Sequence, residues 1–458
     1  MMKFENVKVT ADHYQGTFTL SPLHVTYANT LRRLILTGVE TVAFRADMTS
    51  SGTTTDVVVK RNDTPMTNEM LAARIGLLPI HVTEPTKWKK EDYQFRLQVA
   101  GKADEVRHVT ASDIEIIPLK GLDASANSAS ASGPSANTSG PSADEDEDGD
   151  EKSALPPSVA SLTDRFFPPH PLTRQTCLLA SLQPGSGSAQ QKVELLAMAS
   201  KGTGREHARF IPVSQCSYEY TPDDDPARIQ ELFESWLLHA KKAGGVERDS
   251  SRYKELEREF RTMQIKRCYK IDQETKEPYS YDFTIESVGV LTVDYIVKRA
   301  CEVGENMCAR YVNLATGSLP DEITVSHANC KLVGYDFLFR GHDHTLGNLL
   351  QTWIVQNLIE GKPRTSKSVT FAGYSVPHPL RDEMVLRIGV EDGEETTARA
   401  AIAEAAKGCV EIFQALRRAW LTVLGVAPPP ASAPSSARKP MVMSRPSRMS
   451  KSAAPVKP

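Results

Sequence analysis

The sequence predicts an α+β fold: two units, each a sheet with packed helices, joined as an intramolecular pseudo-dimer, with a mixed α/β domain inserted into the first half. Three observations carry this expectation. A strand–turn–helix pattern spans 335–358, the same pattern recurs near the start of the chain at a fixed offset, and the composition breaks between 124 and 157 inside the first half.

The stretch 335–358 reads YDFLFRGHDHTLGNLLQTWIVQNL. Phe337 and Phe339 lie two apart, as on one face of a strand, and Arg340-Gly341-His342-Asp343 breaks the alternation. Leu346, Leu349, Leu350, Trp353, Ile354 and Leu358 then recur at spacings of three and four, which gathers them into one helical stripe. Asp343 or Thr345 offers a side-chain oxygen to the first free N–H groups. Gly347 in the first turn costs up to ~1 kcal/mol of helix propensity, which predicts that another backbone comes close there.

Aligning Asn348 with Asn29 sets an offset of 348 − 29 = 319. Phe337 and Phe339 then fall on Phe18 and Leu20, and Leu350, Trp353, Ile354 and Leu358 on Leu31, Leu34, Ile35 and Val39. Two copies this far apart are not a solenoid. Two exposed apolar helix faces instead pack on each other about a pseudo-twofold axis, as isologous subunits do. The expected internal interface is Leu31, Leu34, Ile35, Val39, Leu346, Gly347, Leu350, Trp353, Ile354 and Leu358, on helices over 29–43 and 345–359. Chance is the competing explanation, because apolar periodicity is the commonest core signal.

In chain order, Phe4, Val7 and Val9 and then Phe18 and Leu20 read as strands ahead of the first helix, with Asn29 near its start. Arg32 and Arg33 adjoin the apolar stripe, and at about 100° per residue they leave the Leu31/Leu34/Ile35 face. They are either solvated or turned to an acidic partner. Val57-Val58-Val59 is a strand candidate, and Glu69 to Leu78 a short amphipathic helix ended by Pro79. From Ala124 to Pro157 the chain is Ser, Ala, Gly, Pro and Asn around DEDEDGDE at 144–151, a composition unable to offset its chain entropy by burial. Lys201-Gly202-Thr203-Gly204-Arg205 has its lysine on the wrong side of the glycines for a phosphate loop, so a tight turn before a strand at 208–213 is the better reading.

Two charged amphipathic helices follow between Pro226 and Arg261, then a strand at 281–291 and a helix at 293–314 capped by Thr292 or Asp294. A last helix, Thr396 to Leu424, carries Ile402, Cys409, Phe413, Leu416 and Trp420 on one stripe. The expected organisation is a discontinuous first unit, 1–45 and 217–316, and an insertion, 46–216, holding a disordered acidic loop at 121–158. A connector at 317–330, a second unit at 331–425 and a disordered basic tail at 426–458 complete it.

Composition bounds function. With 40% apolar and 24% charged residues in 458, the chain reads as a globular protein of two to four domains. No apolar run approaches the ~18 residues of a membrane span, and MMKFENVKVT lacks the pattern of a signal peptide, so an intracellular protein is expected. The net charge is −3, and once the acidic octet and the six basic residues of the tail are set aside the remainder is nearly neutral. A body that grips nucleic acid presents a basic face, so direct DNA or RNA binding is not expected. The seven cysteines are scattered and odd in number and contain no close C-x-x-C-like pair, which argues against a disulfide framework and against a zinc or iron–sulfur site. His342 and His344 flank Asp343 but do not share a helix face, so no metal or other cofactor is expected there.

Several long motifs carry a resemblance. NTLRRLILTGVETVAF (29–44), TNEMLAARIGLLPI (67–80), KGTGREHARFIPV (201–213) and FTIESVGVL (283–291) resemble the third-largest subunit of RNA polymerase II, which is related to bacterial alpha. DHTLGNLL (343–350) and FAGYSVPHPL (371–380) resemble its small partner, the eleventh subunit. The resemblance implies two alpha-type dimerisation units fused into a pseudo-heterodimer within one chain, serving as the non-catalytic platform of a DNA-directed RNA polymerase. It implies partners among the second-largest, largest and small polymerase subunits, docking of the second-largest through Asn29, Arg32 and Arg33, and catalysis housed elsewhere. The fused form resembles polymerases of large DNA viruses, which implies host cytoplasm and virion. The competing class is a stand-alone metal-dependent enzyme using His342, Asp343, His344 and His378, for which no nucleophile–base or carboxylate pair has local context.

Overall fold

The computed structural model describes residues 2–47, 56–119, 157–241, 245–248, 250–329, 331–360 and 369–426. The expected acidic loop and basic tail lie outside these residues, apart from Pro157 and Ser158, which open a helix, and Val426.

The chain begins with strands β1 (Lys3–Val9) and β2 (Gln15–Ser21), helix α1 (Val25–Thr37) and β3 (Glu40–Ala43). Next come β4 (Val57–Asn62), α2 (Asn68–Gly76), β5 (Tyr93–Ala100), β6 (Arg107–Thr110), β7 (Ile114–Pro118), α3 (Pro157–Phe166), β8 (Leu178–Leu182), β9 (Lys192–Ala197) and β10 (Ser200–Thr203). The chain then runs through β11 (Val213–Tyr220), α4 (Pro226–His239), α5 (Ser251–Glu259), β12 (Tyr281–Ser287) and α6 (Val293–Ala309). Last are β13 (Ile323–His327), β14 (Gly334–Arg340), α7 (His344–Ile354), β15 (Val369–Ser375), β16 (Glu383–Val390) and α8 (Glu395–Val423).

Two antiparallel sheets have the same plan, β1-β2-β12-β11 and β13-β14-β16-β15. The 319-residue offset holds residue by residue: β2 at 15–21 maps onto β14 at 334–340, and α1 and α7 begin at 25 and 344. It reaches the edge hairpins too, where Phe4 pairs with Leu20 and Ile323 with Phe339. One continuous core takes Phe18, Leu20, Leu31 and Ile35 from one unit and Phe337, Phe339, Leu350 and Ile354 from the other. The segment from β4 to β9 has its own core, built on Val57, Leu71, Phe95 and Leu195, and α4 with α5 encloses a small third one around Phe233 and Phe260.

Several expectations are corrected. The first helix spans 25–37 rather than 29–43, so Asn29 sits in its second turn and Val39 lies beyond its end. Glu40–Ala43 is instead a strand, because it pairs with β10 more than a hundred and fifty residues away, and the apolar run Val39, Val42, Phe44 fits either period. Residues 208–210 form a 3₁₀ turn, and the strand starts at Val213 and joins the first sheet, which shortens the 46–216 insertion. The 317–330 connector contains β13, an edge strand of the second sheet, whose five residues sit between turn signals that hide them.

Candidate subunit interface

Both organising helices start on a cap at the offset-equivalent position. His24 Nδ1 accepts from the Thr26 N–H (3.2 Å), and Asp343 Oδ1 accepts from the Thr345 N–H (2.8 Å). From those starts, helical periodicity turns Leu31 and Ile35, and Leu346, Leu350 and Ile354, fully inward, with Leu34, Val39, Trp353 and Leu358 also buried. Each helix rests on a glycine of its own unit's terminal helix. A Cβ on Gly304 of α6 would meet Leu34 and Phe413 at under 3 Å, and one on Gly408 of α8 would meet the Trp353 ring at about 2 Å.

The polar contacts across the seam are exchanged by the offset. Thr26 Oγ1 lies 3.1 Å from Thr352 Oγ1, and Arg33 Nε donates to Thr345 Oγ1 at 2.9 Å. Position 26 plus 319 is 345, and 33 plus 319 is 352, so one contact is the mirror of the other, which is the mark of an isologous interface. Asn348 Nδ2 adds a bond to Thr26 Oγ1 (3.4 Å) and the Tyr27 hydroxyl one to Gln356 (3.4 Å).

This geometry corrects two expectations. Arg33 does not point away from the seam; it spans it, placing Nη2 3.4 Å from Asp343 as well as bonding Thr345, because the α7 N-terminus offers it a hydroxyl and a carboxylate. Burial alone would raise the Asp343 carboxyl, but bonds from the Thr345 hydroxyl and N–H and the charges of Arg205 and Arg33 outweigh it and hold it below the usual range. At Gly347 the close neighbour is no backbone: a Cβ there would stand 2.5 Å from the Tyr374 ring.

Arg205, which sequence reasoning read as the end of a turn, is a strut between the insertion and the second unit. Its main-chain N–H donates to Thr37 O at the end of α1, Nη1 donates to Gly341 O (2.9 Å), and Nη2 binds Asp382. Beside it opens a cleft of about 680 Å³ lined by Arg205, Arg299, Arg310, Glu322, His342 and Asp343 among others. Arg299 grips Glu40 in a bidentate pair (2.8 and 2.9 Å); burial would raise the Glu40 carboxyl, and this pair keeps it lowered. His342 is held within 2.7 Å of the Tyr311 hydroxyl, and burial, with the charges of Arg205 and Arg310, lowers its pKa. His344 instead sits edge-on to Tyr374, and His378 Nδ1 accepts from the Leu380 N–H in a turn. The structure thus gives each histidine a separate local partner.

Asn29 and Arg32 stay together on the far side of α1. Arg32 Nε donates to Asn29 Oδ1 (3.0 Å), and both line a groove of about 570 Å³ with Cys216–Tyr220 of β11 and Lys266.

Comparison with known proteins places this architecture. A family model described as the RNA polymerase Rpb3/Rpb11 dimerisation domain matches residues 17–308, and a second model of the same description matches 335–419. The chain belongs to the RNA polymerase Rpb3/Rpb11 dimerisation-domain family. Human DNA-directed RNA polymerases I and III subunit RPAC1 is 24% identical over 329 residues, covering 67% of this chain and 82% of that protein. DNA-directed RNA polymerase subunit Rpo3 of Methanosphaera stadtmanae is 24% identical over 225 residues (49% of this chain, 64% of Rpo3). DNA-directed RNA polymerase subunit Rpo11 of Thermococcus onnurineus is 31% identical over 90 residues, which is 20% of this chain and 85% of Rpo11. The second match of the Rpb3/Rpb11 domain covers the sheet and helices from β14 into α8, and the first runs from β2 into α6 across the insertion. Two polar residues of the seam recur at the offset in the sequence, the threonine of 26 and 345 and the asparagine of 29 and 348, and Asn348 bonds Thr26 across it.

Proposed function

We propose that this chain is the non-catalytic assembly subunit of a multisubunit DNA-directed RNA polymerase, an alpha-like platform on which the two large catalytic subunits assemble. The observation that carries this is the pair of Rpb3/Rpb11 dimerisation-domain matches in one chain, whose helices exchange contacts under a single offset. The chain is then a fusion of a larger partner, its insertion at about 46–212 included, with a small partner from about 323 onward. Together they form an intramolecular pseudo-dimer that needs no metal or cofactor of its own. The second-largest subunit docks on the α1 face through Asn29 and Arg32, with Arg33 bracing the platform from within. The largest and the small subunits join the same assembly, and DNA and RNA are met only through it. The fused arrangement fits a polymerase of a large DNA virus, working in host cytoplasm and carried in the virion.

The test is the composition of the polymerase that co-purifies with the tagged chain. One copy of this chain per pair of large subunits, with no separate small partner and no nucleotide addition by the chain alone, is the expected result. Two copies per complex, or an intact chain that is an obligate homodimer by light scattering, would overturn it.

A further inference from the structure

The two sheets end on equivalent edge strands, β11 and β15, and the registers equate Tyr218 with Tyr374: each faces the strand position, Phe283 or Leu386, that also pairs with Phe18 or Phe337. In the second unit the Tyr374 position of this edge has a partner. Gln351 of α7 accepts the outward Tyr374 N–H through Oε1 at 3.0 Å, and Gly347 lets the Tyr374 ring lie against the helix. The offset places Ala28 and Arg32 at the corresponding positions of α1. Alanine carries the methyl that glycine lacks, and arginine has five donors and no acceptor, so it leaves the Tyr218 N–H without the partner that Gln351 gives Tyr374.

Main-chain alternation agrees. The Thr221 N–H donates to Ser280 O (3.0 Å), which makes 221, 219 and 217 the bonded positions and turns the amides of Tyr218 and Tyr220 away from β12. Beside this open edge stand Arg32 and Lys266; neither forms an ion pair among the described residues, although Glu219 lines the same groove.

We infer that the β11 edge, with Arg32 and Lys266, is a strand-addition site for an extended acidic segment of another polymerase subunit. An added strand supplies carbonyls to the outward N–H groups of Tyr218 and Tyr220, and carboxylates on its near side meet the two cations. Unpaired edge strands are otherwise a liability, and the second unit shows a helix glutamine taking one outward amide of its edge. The inference rests on the platform reading for the identity of the partner, and on the groove alone for its chemistry.

Hydrogen exchange of 216–220, compared between the free chain and the chain in the co-purified polymerase, reads the site directly. Slowed exchange there, lost when Arg32→Gln is incorporated, is expected. A polymerase that captures the chain while 216–220 exchanges as fast as in the free protein would overturn the strand addition and leave the platform standing. A second measurement needs no polymerase: a synthetic peptide alternating valine and glutamate binds the intact chain, and Arg32→Gln or Lys266→Glu weakens it at least tenfold with unchanged circular dichroism. Equal binding of a valine–threonine control peptide, or no loss in Arg32→Gln, would overturn the inference even if the platform reading held.

Discussion

Helices α1 and α7 occupy equivalent places, and their apolar stripes match more closely than their polar positions. Leu31 and Leu350, and Ile35 and Ile354, are interchangeable residues at fully buried positions, because both helices fill one shared core. On the flanks the pairs part company: His24 against Asp343, Arg33 against Thr352, Arg32 against Gln351. The stripe answers to a common interior, whereas each flank answers to its own neighbour. The repeat therefore reports on packing through its apolar positions, while its polar positions both keep the seam (Thr26 and Thr345) and diverge (Arg33 against Thr352).

The largest test of this comparison is a charge in the stripe. Leu31→Asp and Leu350→Asp should each cost several kcal/mol, a large share of the about 5–15 kcal/mol that holds a domain together, and both should abolish the near-ultraviolet circular dichroism of the whole core. Loss confined to one unit would break the claim of a single core. Truncation is the gentler version: Leu31→Ala and Leu350→Ala should each lose about 2–5 kcal/mol in urea unfolding, and by similar amounts.

The polar half of the seam should show coupling. Thr26→Val strands the buried Thr352 hydroxyl and the Asn348 amide and should cost about 1–3 kcal/mol. Thr352→Val leaves Thr26 its bond from Asn348 and should cost less, and the double variant should recover part of the Thr26→Val loss. Arg33→Glu sets a carboxylate against Asp343 and should lower the urea midpoint, whereas Arg32→Glu, on the open flank, should not. Equal effects of the two substitutions would erase the distinction between the arginine in the seam and the one on the outer flank.

The smallest effect is in pH. The folded-state pKa of His342 is lowered, so its contribution is complete above the unfolded value of about 6.5 and is lost as pH falls below it. Asp343, also lowered, contributes above its unfolded value of about 3.9 and is lost on further acidification. The urea midpoint should fall from pH 7 to 5, and His342→Gln should flatten that decline while leaving the fall below pH 4.

The sequence by itself determined the strand–helix units, their offset, the buried stripe and the long terminal helices, because period and propensity are local and apolar residues at 3.6 spacing have one economical use. It also narrowed the caps to Asp343 or Thr345 and to Thr292 or Asp294, from which the structure takes Asp343 and Thr292. Only the tertiary structure decided where α1 stops, since β3 exists through pairing with β10. It alone turned Arg33 into the seam, drew Arg205 across to Gly341, and gave Tyr374 of β15 a helix partner that Tyr218 of β11 lacks among the described residues. Those outcomes depend on which donor meets which acceptor across hundreds of residues, and hydrogen bonds of that reach leave no periodic trace in the chain.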